Sequence, residues 1–171
     1  ILGICGGLQM LGEYLEDPYS KEGSNTSEKK IIKGIGLLPL KTIFKKTKIT
    51  KRIVCEATWP CTTKVEGFEI HNGVTELIKR RGEKNFKNMF KQKKLGWFID
   101  NNERGSIAGS YLHGIFDNDK WRINYLNLIR IKKGIQILDK QNKPYKIKRE
   151  AIINNLAYQF KKHINIESLL N

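Results

Sequence analysis

Apolar residues fall in short runs along this chain, and the period of each run points to an element. Ile1-Leu2-Gly3-Ile4 reads as the end of a buried strand, and Cys5-Gly6-Gly7 turns the chain. Leu8, Leu11 and Leu15 then share one face of a helix over 8–15, which Asp17-Pro18 stops. Residues 19–34 are polar around Gly23-Ser24-Asn25 and predict a surface loop. Gly36 to Leu40 predicts a buried turn, and residues 42–56 and 62–71 alternate as an antiparallel strand pair would. Residues 78–94 are basic and irregular, which predicts a solvated excursion. Leu95 to Ile99 reads as a strand, Asn101-Asn102 and Arg104-Gly105 as a turn, and Ser106 to Leu112 as a buried strand ending at His113-Gly114. Helical spacing returns over 118–132, through Trp121, Tyr125, Leu128 and Ile129. It returns again over 148–163, through Ile152, Leu156, Tyr158 and Phe160, and a terminal turn follows at 166–170. Strands with helices between them predict an α/β fold built on a mixed sheet.

At 171 residues the chain has room for one domain with a real core. It opens inside an apolar strand, without a methionine or a cap. The expectation is that residues 1–171 are the C-terminal portion of a domain whose upstream strands lie elsewhere. No run of 18 apolar residues occurs, so no membrane-spanning helix is expected. Three cysteines make no disulfide framework and nothing resembles a secretory leader, which predicts a reducing, cytoplasmic setting. The formal charge of +15 suggests an anionic partner at first sight. Lysines far outnumber arginines, however, and they are spread along the whole chain beside abundant isoleucine and asparagine, as an AT-rich coding sequence writes. Arginine is the better reader of bases and phosphates, so no nucleic-acid role is expected.

The strongest local signal is Gly3-Ile4-Cys5-Gly6-Gly7, a G-x-C-x-G elbow with cysteine as the nucleophile. A strand-to-helix corner lifts the thiol off the sheet, and small residues on either side let the chains cross closely. The helix start favours a thiolate. The N–H of Gly6 is placed to meet charge developing on an attacked carbonyl oxygen. The bland alternative is a small buried cysteine in a glycine-rich turn.

A general base must come from His71, His113 or His163. His163 lies at the end of the last helix between lysines and polar chain, where a solvated role is expected. His113 ends an apolar strand, where ligands of α/β sheets bind, and would meet Cys5 across adjacent strands. His71 is its rival, and shares a strand face with Glu69 by the two-residue period. Spacing leaves both histidines open. Cys55 and Cys61 flank Trp59-Pro60 without histidines at zinc-binding spacing, so no metal site is expected. The sequence has no G-x-x-x-x-G-K-[ST] loop for ATP.

Residues 3–12 with Asp17-Pro18, Gly34-Ile35-Gly36-Leu37-Leu38-Pro39 with Thr42 and Phe44, Gly67-Phe68-Glu69-Ile70-His71-Asn72-Gly73 with Thr75, and Gly109-Ser110-Tyr111-Leu112-His113-Gly114-Ile115-Phe116-Asp117-Asn118 stand in this order. This set resembles the class I glutamine amidotransferases of the cobyric acid and cobyrinic acid amidating type, over nearly the whole chain. The blocks point to the cobyric-acid-forming branch rather than the a,c-diamide-forming one. The resemblance implies a partial class I amidotransferase domain, flavodoxin-like and three-layered. It implies Cys5 as nucleophile toward glutamine and His113 as catalytic histidine. Gly6 would be an oxyanion donor, and Glu69 and His71 candidates for orienting or substrate contact. Ammonia would then amidate the b, d, e and g carboxylates of a corrinoid a,c-diamide in cobalamin biosynthesis, one ATP at each step. No cofactor is implied in this chain. ATP and Mg2+ would sit on an N-terminal synthetase domain, in cis or as a separate chain. Two departures stand out. Ile115 occupies the position two after the histidine where many class I glutaminases carry glutamate, with Asp117 a weaker orienter. The upstream loop that donates a second oxyanion N–H in the family is not in these residues. Poor activity of the chain alone is therefore expected. A non-catalytic, partner-binding remnant is the alternative.

Overall fold

The computed structural model describes residues 1–20, 30–78, 85–101, 105–139 and 144–165. The loop expected around Gly23-Ser24-Asn25, the turn through residues 102–104 and the terminal turn at 166–170 lie outside them. Elements follow in the order β1 (Leu2–Ile4), α1 (Gly6–Leu11), β2 (Tyr14–Asp17), β3 (Lys30–Lys33), β4 (Leu40–Ala57), β5 (Thr63–Leu77), β6 (Phe86–Asn88), β7 (Gly96–Asn101), β8 (Gly105–Ser110), β9 (Leu112–His113), a 3₁₀ turn (Ile115–Asp117), α2 (Asp119–Lys132) and α3 (Tyr145–His163). The chain divides into two units, Ile1–Ile115 and Phe116–Asn171.

The fold is α/β, as expected, but the first unit holds two mixed sheets rather than one. The first runs β1-β8-β7-β6, with β1 parallel to β8 and the other pairs antiparallel. The second runs β3-β2-β4-β5-β9, with only β2 and β4 parallel. The long β4–β5 hairpin dominates the second sheet. Along β5 the odd positions from Val65 to Thr75 are buried and their neighbours are not, the two-residue period of a half-covered strand.

Three local expectations are corrected. The first helix ends at Leu11, not Leu15. The Gly12 N–H bonds Gln9 O, Glu13 N–H bonds Leu40 O at 2.7 Å, and Tyr14–Asp17 is then paired on both edges, by β3 and β4. Two strand ladders thus override the helical spacing of Leu15. The basic stretch after residue 84 is not a solvated excursion. Phe86–Asn88 pairs with β7, and Met89 and Phe90 are buried. The strand expected over 106–112 breaks at Tyr111: β8 stops at Ser110 in the first sheet and β9 resumes at Leu112 in the second.

In the second unit, Phe116, Trp121 and Tyr125 form a ring cluster with centroids 5.3–5.7 Å apart. The Asp119 carboxylate accepts from Arg122 and from the Tyr145 N–H at the start of α3. The spacing of α3 predicts a buried face, yet none of its residues is buried, and Ile152, Leu156, Tyr158 and Phe160 are all exposed.

Packing distinguishes two glycines. A Cβ on Gly67 would lie 2.1 Å from His113 O, so only glycine lets β9 approach β5 there. A Cβ on Gly7 would meet nothing within 4 Å. Gly67→Ala is predicted to cost about 1–3 kcal/mol in urea denaturation. Gly7→Ala, inside α1, is predicted to stabilise by up to about 1 kcal/mol.

Candidate active site

Strand β1 runs into α1 through Cys5, whose φ of 53° and ψ of −111° put a non-glycine residue in a sparsely populated backbone region. Such strain is of order 1–3 kcal/mol and persists only where the surroundings over-determine it. They do so here. The Cys5 N–H bonds Ser110 O at 2.8 Å, continuing the β1–β8 ladder. Leu8 is fully buried against β8, where a side chain on Gly109 would strike it. The small residue that the crossing requires is Gly3, whose Cβ would lie 2.6 Å from Gly7 backbone atoms. The expectation that Gly7 is needed for its own lack of a side chain is corrected by the open space around it. Gly6 is the first residue of α1, where a helix leaves its N–H without an intrahelical acceptor. With six residues, α1 is a weaker dipole than the helix expected from the sequence.

The sulfur and the imidazole of His113 do not meet across adjacent strands, because His113 belongs to the other sheet. They meet at a third group. Cys5 Sγ donates to Ile70 O at 3.3 Å, and His113 Nε2 lies 3.3 Å from the same oxygen. Sulfur and ring nitrogen can therefore be no further apart than twice that distance. A carbonyl only accepts, so Nε2 carries the hydrogen in this contact. Ile70 O is open to side chains because β9 is so short. Its pairing with β5 covers Phe68–His113 and Glu69–Leu112. The next rung would use Tyr111, whose N–H goes instead to Leu95 O at 2.8 Å.

Glu69 and His71 flank Ile70 and face inward together, as their spacing implies. Glu69 Oε1 lies 2.9 Å from His71 Nε2, and Gly73 O lies 2.6 Å from His71 Nδ1. Both ring nitrogens of His71 are thus engaged by groups of its own strand. Glu69 Oε2 is 3.1 Å from Lys51 Nζ, an ion-pair approach without hydrogen-bond alignment. The His71 ring stacks on Tyr111 at 3.7 Å. Tyr111 was not singled out by the sequence reading. Its hydroxyl lies 2.5 Å from Thr75 Oγ1, accepts from Gln9 Nε2 at 3.2 Å, and joins a chain that continues to Thr42. Burial pushes the Tyr111 phenol above its usual pKa, and the hydrogen bonds of Thr75, Gln9 and Thr42 pull it partly back. The weaker orienter, Asp117, lies 3.5 Å from Arg149. His163 is exposed in the last turn of α3.

The family profile of the CobB/CobQ-like glutamine amidotransferase domain matches residues 1–121. The chain belongs to this family. It is 56% identical over 171 residues to a cobyric acid synthase of Prochlorococcus marinus strain MIT 9312, 58% over 172 residues to that of strain MIT 9515, and 41% over 170 residues to that of strain NATL2A. These alignments cover 99–100% of this chain and 34% of each relative. The chain thus corresponds to an amidotransferase domain spanning about a third of the length of the relatives it matches.

Within this amidotransferase domain no group of three or more His, Cys, Asp or Glu side chains is arranged to hold a metal ion among the described residues. No helix among them is long and apolar enough to cross a membrane. Cys5, Cys55 and Cys61 are all unbridged. Burial pushes the Cys55 thiol up to about 11, so below that pH it stays protonated and poorly nucleophilic. Iodoacetamide is predicted to label Cys55 only slowly at pH 8, where its thiolate fraction is about one in a thousand. Its labelling rate should climb steeply as the pH approaches 11, read by peptide mass spectrometry. Fast labelling of Cys55 at pH 8 would contradict this.

Proposed function

We propose that this chain is the glutamine-hydrolysing part of a corrinoid amidotransferase, with Cys5 as nucleophile and His113 as acid–base partner. What supports the reading is one shared contact: sulfur and Nε2 converge on Ile70 O from two different sheets. The arrangement suits covalent catalysis. The Cys5 sulfur bonds to the side-chain carbonyl carbon of glutamine while its proton passes to His113. The Gly6 N–H faces the oxyanion that forms, a donor whose loss typically costs about 3 kcal/mol of transition-state stabilisation. His113 returns the proton to the departing nitrogen, ammonia leaves, and water hydrolyses the thioester to glutamate.

The ammonia is assigned to the amidation of the b, d, e and g carboxylates of a cobyrinic acid a,c-diamide, as in cobyric acid synthase. ATP supplies the activation of those carboxylates, with Mg2+, on protein outside these 171 residues. The positive charge of the chain favours approach of a polycarboxylate. Three unbridged cysteines suit a reducing, cytoplasmic setting.

In a family-length protein carrying this sequence, Cys5→Ala and His113→Ala are each predicted to lower glutamine-dependent amidation by about a thousand-fold or more. Amidation driven by free ammonia should continue, and a glutamine-analogue electrophile should label Cys5 in the unmutated protein. Full glutamine use by Cys5→Ala rejects the nucleophile assignment. A protein that works only with ammonia before any mutation is instead the partner-binding remnant.

A further inference from the structure

The main-chain carbonyl of Ile70 stands beside the space where an amide hydrolase has to place its leaving nitrogen. That nitrogen must lie next to the carbon that Cys5 attacks and within reach of the ring that protonates it. Ile70 O is 3.3 Å from both Sγ and Nε2. We infer that this carbonyl recognises the departing –NH2 of the substrate carboxamide, and that Glu69 and His71 are positioning residues that aim it. The inference rests on the roles proposed above for Cys5 and His113.

The chemistry of a carbonyl makes it selective. It accepts hydrogen bonds and cannot donate them. A carboxamide nitrogen offers two N–H donors to it. A carboxylate or ester oxygen offers only lone pairs and is repelled. The site thus favours glutamine over glutamate and drives the acid product away. A buried polar group that loses its partner discriminates far more strongly than a change of apolar shape.

The same contact sets the order of the steps. Ile70 O takes the thiol and ring hydrogens together. When the amide N–H groups take over this acceptor, the ring is released. Its proton can then move to Nδ1 through solvent, leaving the Nε2 lone pair for the thiol. The sulfur–carbon bond forms and the carbon–nitrogen bond breaks. The thiol proton travels through His113 to the nitrogen, which departs as ammonia. Water then breaks the sulfur–carbon bond, yielding glutamate and the restored thiol.

The peptide after Ile70 is held by the β4–β5 ladder, which pairs Ile70 with Thr50 and His71 with Ile49, and its flanking side chains add to that hold. The side chains of Glu69 and His71 close on each other at 2.9 Å, His71 Nδ1 is tied to Gly73 O at 2.6 Å, and the ring lies on Tyr111. Turning the carbonyl away would break these contacts together. Both side chains are buried on a face otherwise occupied by Val65, Gly67, Gly73 and Thr75, where a polar pair has no packing advantage.

The test compares glutamine with glutamate γ-methyl ester, whose leaving group has no N–H, in a family-length protein carrying this sequence. Glutamate release is measured as kcat/KM. Relative to hydroxide-catalysed hydrolysis of the same two compounds, the unmutated protein should favour the amide at least ten-fold. His71→Phe and Glu69→Ala should lower kcat/KM for glutamine ten-fold or more and change the ester less than three-fold. Glu69→Gln, whose amide oxygen still accepts from Nε2, should keep the unmutated ratio. An amide-to-ester ratio equal to that in solution overturns the inference without needing any variant to fold, as does an unchanged ratio in folded His71→Phe. Either result, with turnover still dependent on Cys5, leaves the glutaminase reading intact. Turnover that survives Cys5→Ala rejects that reading instead.

Discussion

At Tyr111 the chain leaves one sheet and enters the other, and three polar contacts tie this crossing in place. Ser110 O holds the amide of Cys5, Tyr111 N–H is bonded to Leu95 O, and Leu112 N–H is bonded to the Ser110 hydroxyl at 2.9 Å. Ser110, Tyr111 and Leu112 are buried, so an unpaired amide here would carry a desolvation cost of about 1–3 kcal/mol. The crossing therefore cannot slide. It fixes the elbow on one side and His113 on the other, two residues further along. Because Tyr111 points its amide to Leu95, the β5–β9 ladder stops one rung early and Ile70 O is left for side chains. One backbone decision thus positions sulfur, imidazole and their common acceptor.

The strained Cys5 backbone is the local consequence. A residue at φ 53° would relax if the strand before it or the helix after it could shift. Three β1–β8 rungs hold the strand, from Leu2–Ala108 to Ile4–Ser110, and the buried Leu8 and Leu11 anchor the helix. Since α1 has only six residues, its hold comes from this burial rather than from helix length. Gly3 allows the close crossing beneath. The thiol is presented by packing that is remote from the chemistry.

The elbow, the long hairpin, β7, β8 and α2 were legible because each rests on local period or a short glycine pattern. The break at Tyr111 was not, since Ser106 to Leu112 is uniformly apolar enough to read as one strand and only pairing across two sheets divides it. Leu15 misled for the same reason: its helical spacing from Leu8 is real, but β3 and β4 capture Tyr14–Asp17 from both edges. In α3 the spacing correctly placed a helix, yet Ile152 and Leu156 are exposed, because period reports a potential face and not what covers it. Cys5, His113, Glu69 and His71 were all visible as residue types. The group on which two of them converge was not, because a main-chain carbonyl has no signature in sequence.

Glu69 and His71 were the clearest conflict between local pattern and burial. Their positions in β5 belong to the inward-facing set, where the alternation would place apolar side chains. A buried hydrogen-bonded pair is seldom worth more than an apolar pair of the same volume, so its presence has to be argued on other grounds than stability. Here the two residues bracket the one peptide whose oxygen meets both Cys5 and His113. An apolar pair would fill the same space but would leave the β4–β5 ladder, which pairs Ile70 with Thr50 and His71 with Ile49, as the main restraint on that peptide. Directional bonds to Gly73 and between the two side chains, with Tyr111 as a flat wall, restrict it in a way that packing alone does not. The extended network through Tyr111, Thr75, Thr42 and Gln9 then ties that wall to β4 and α1. The polar interior of this sheet thus runs from Gln9 in α1 through Tyr111 and then Thr75 in β5 to Thr42 in β4.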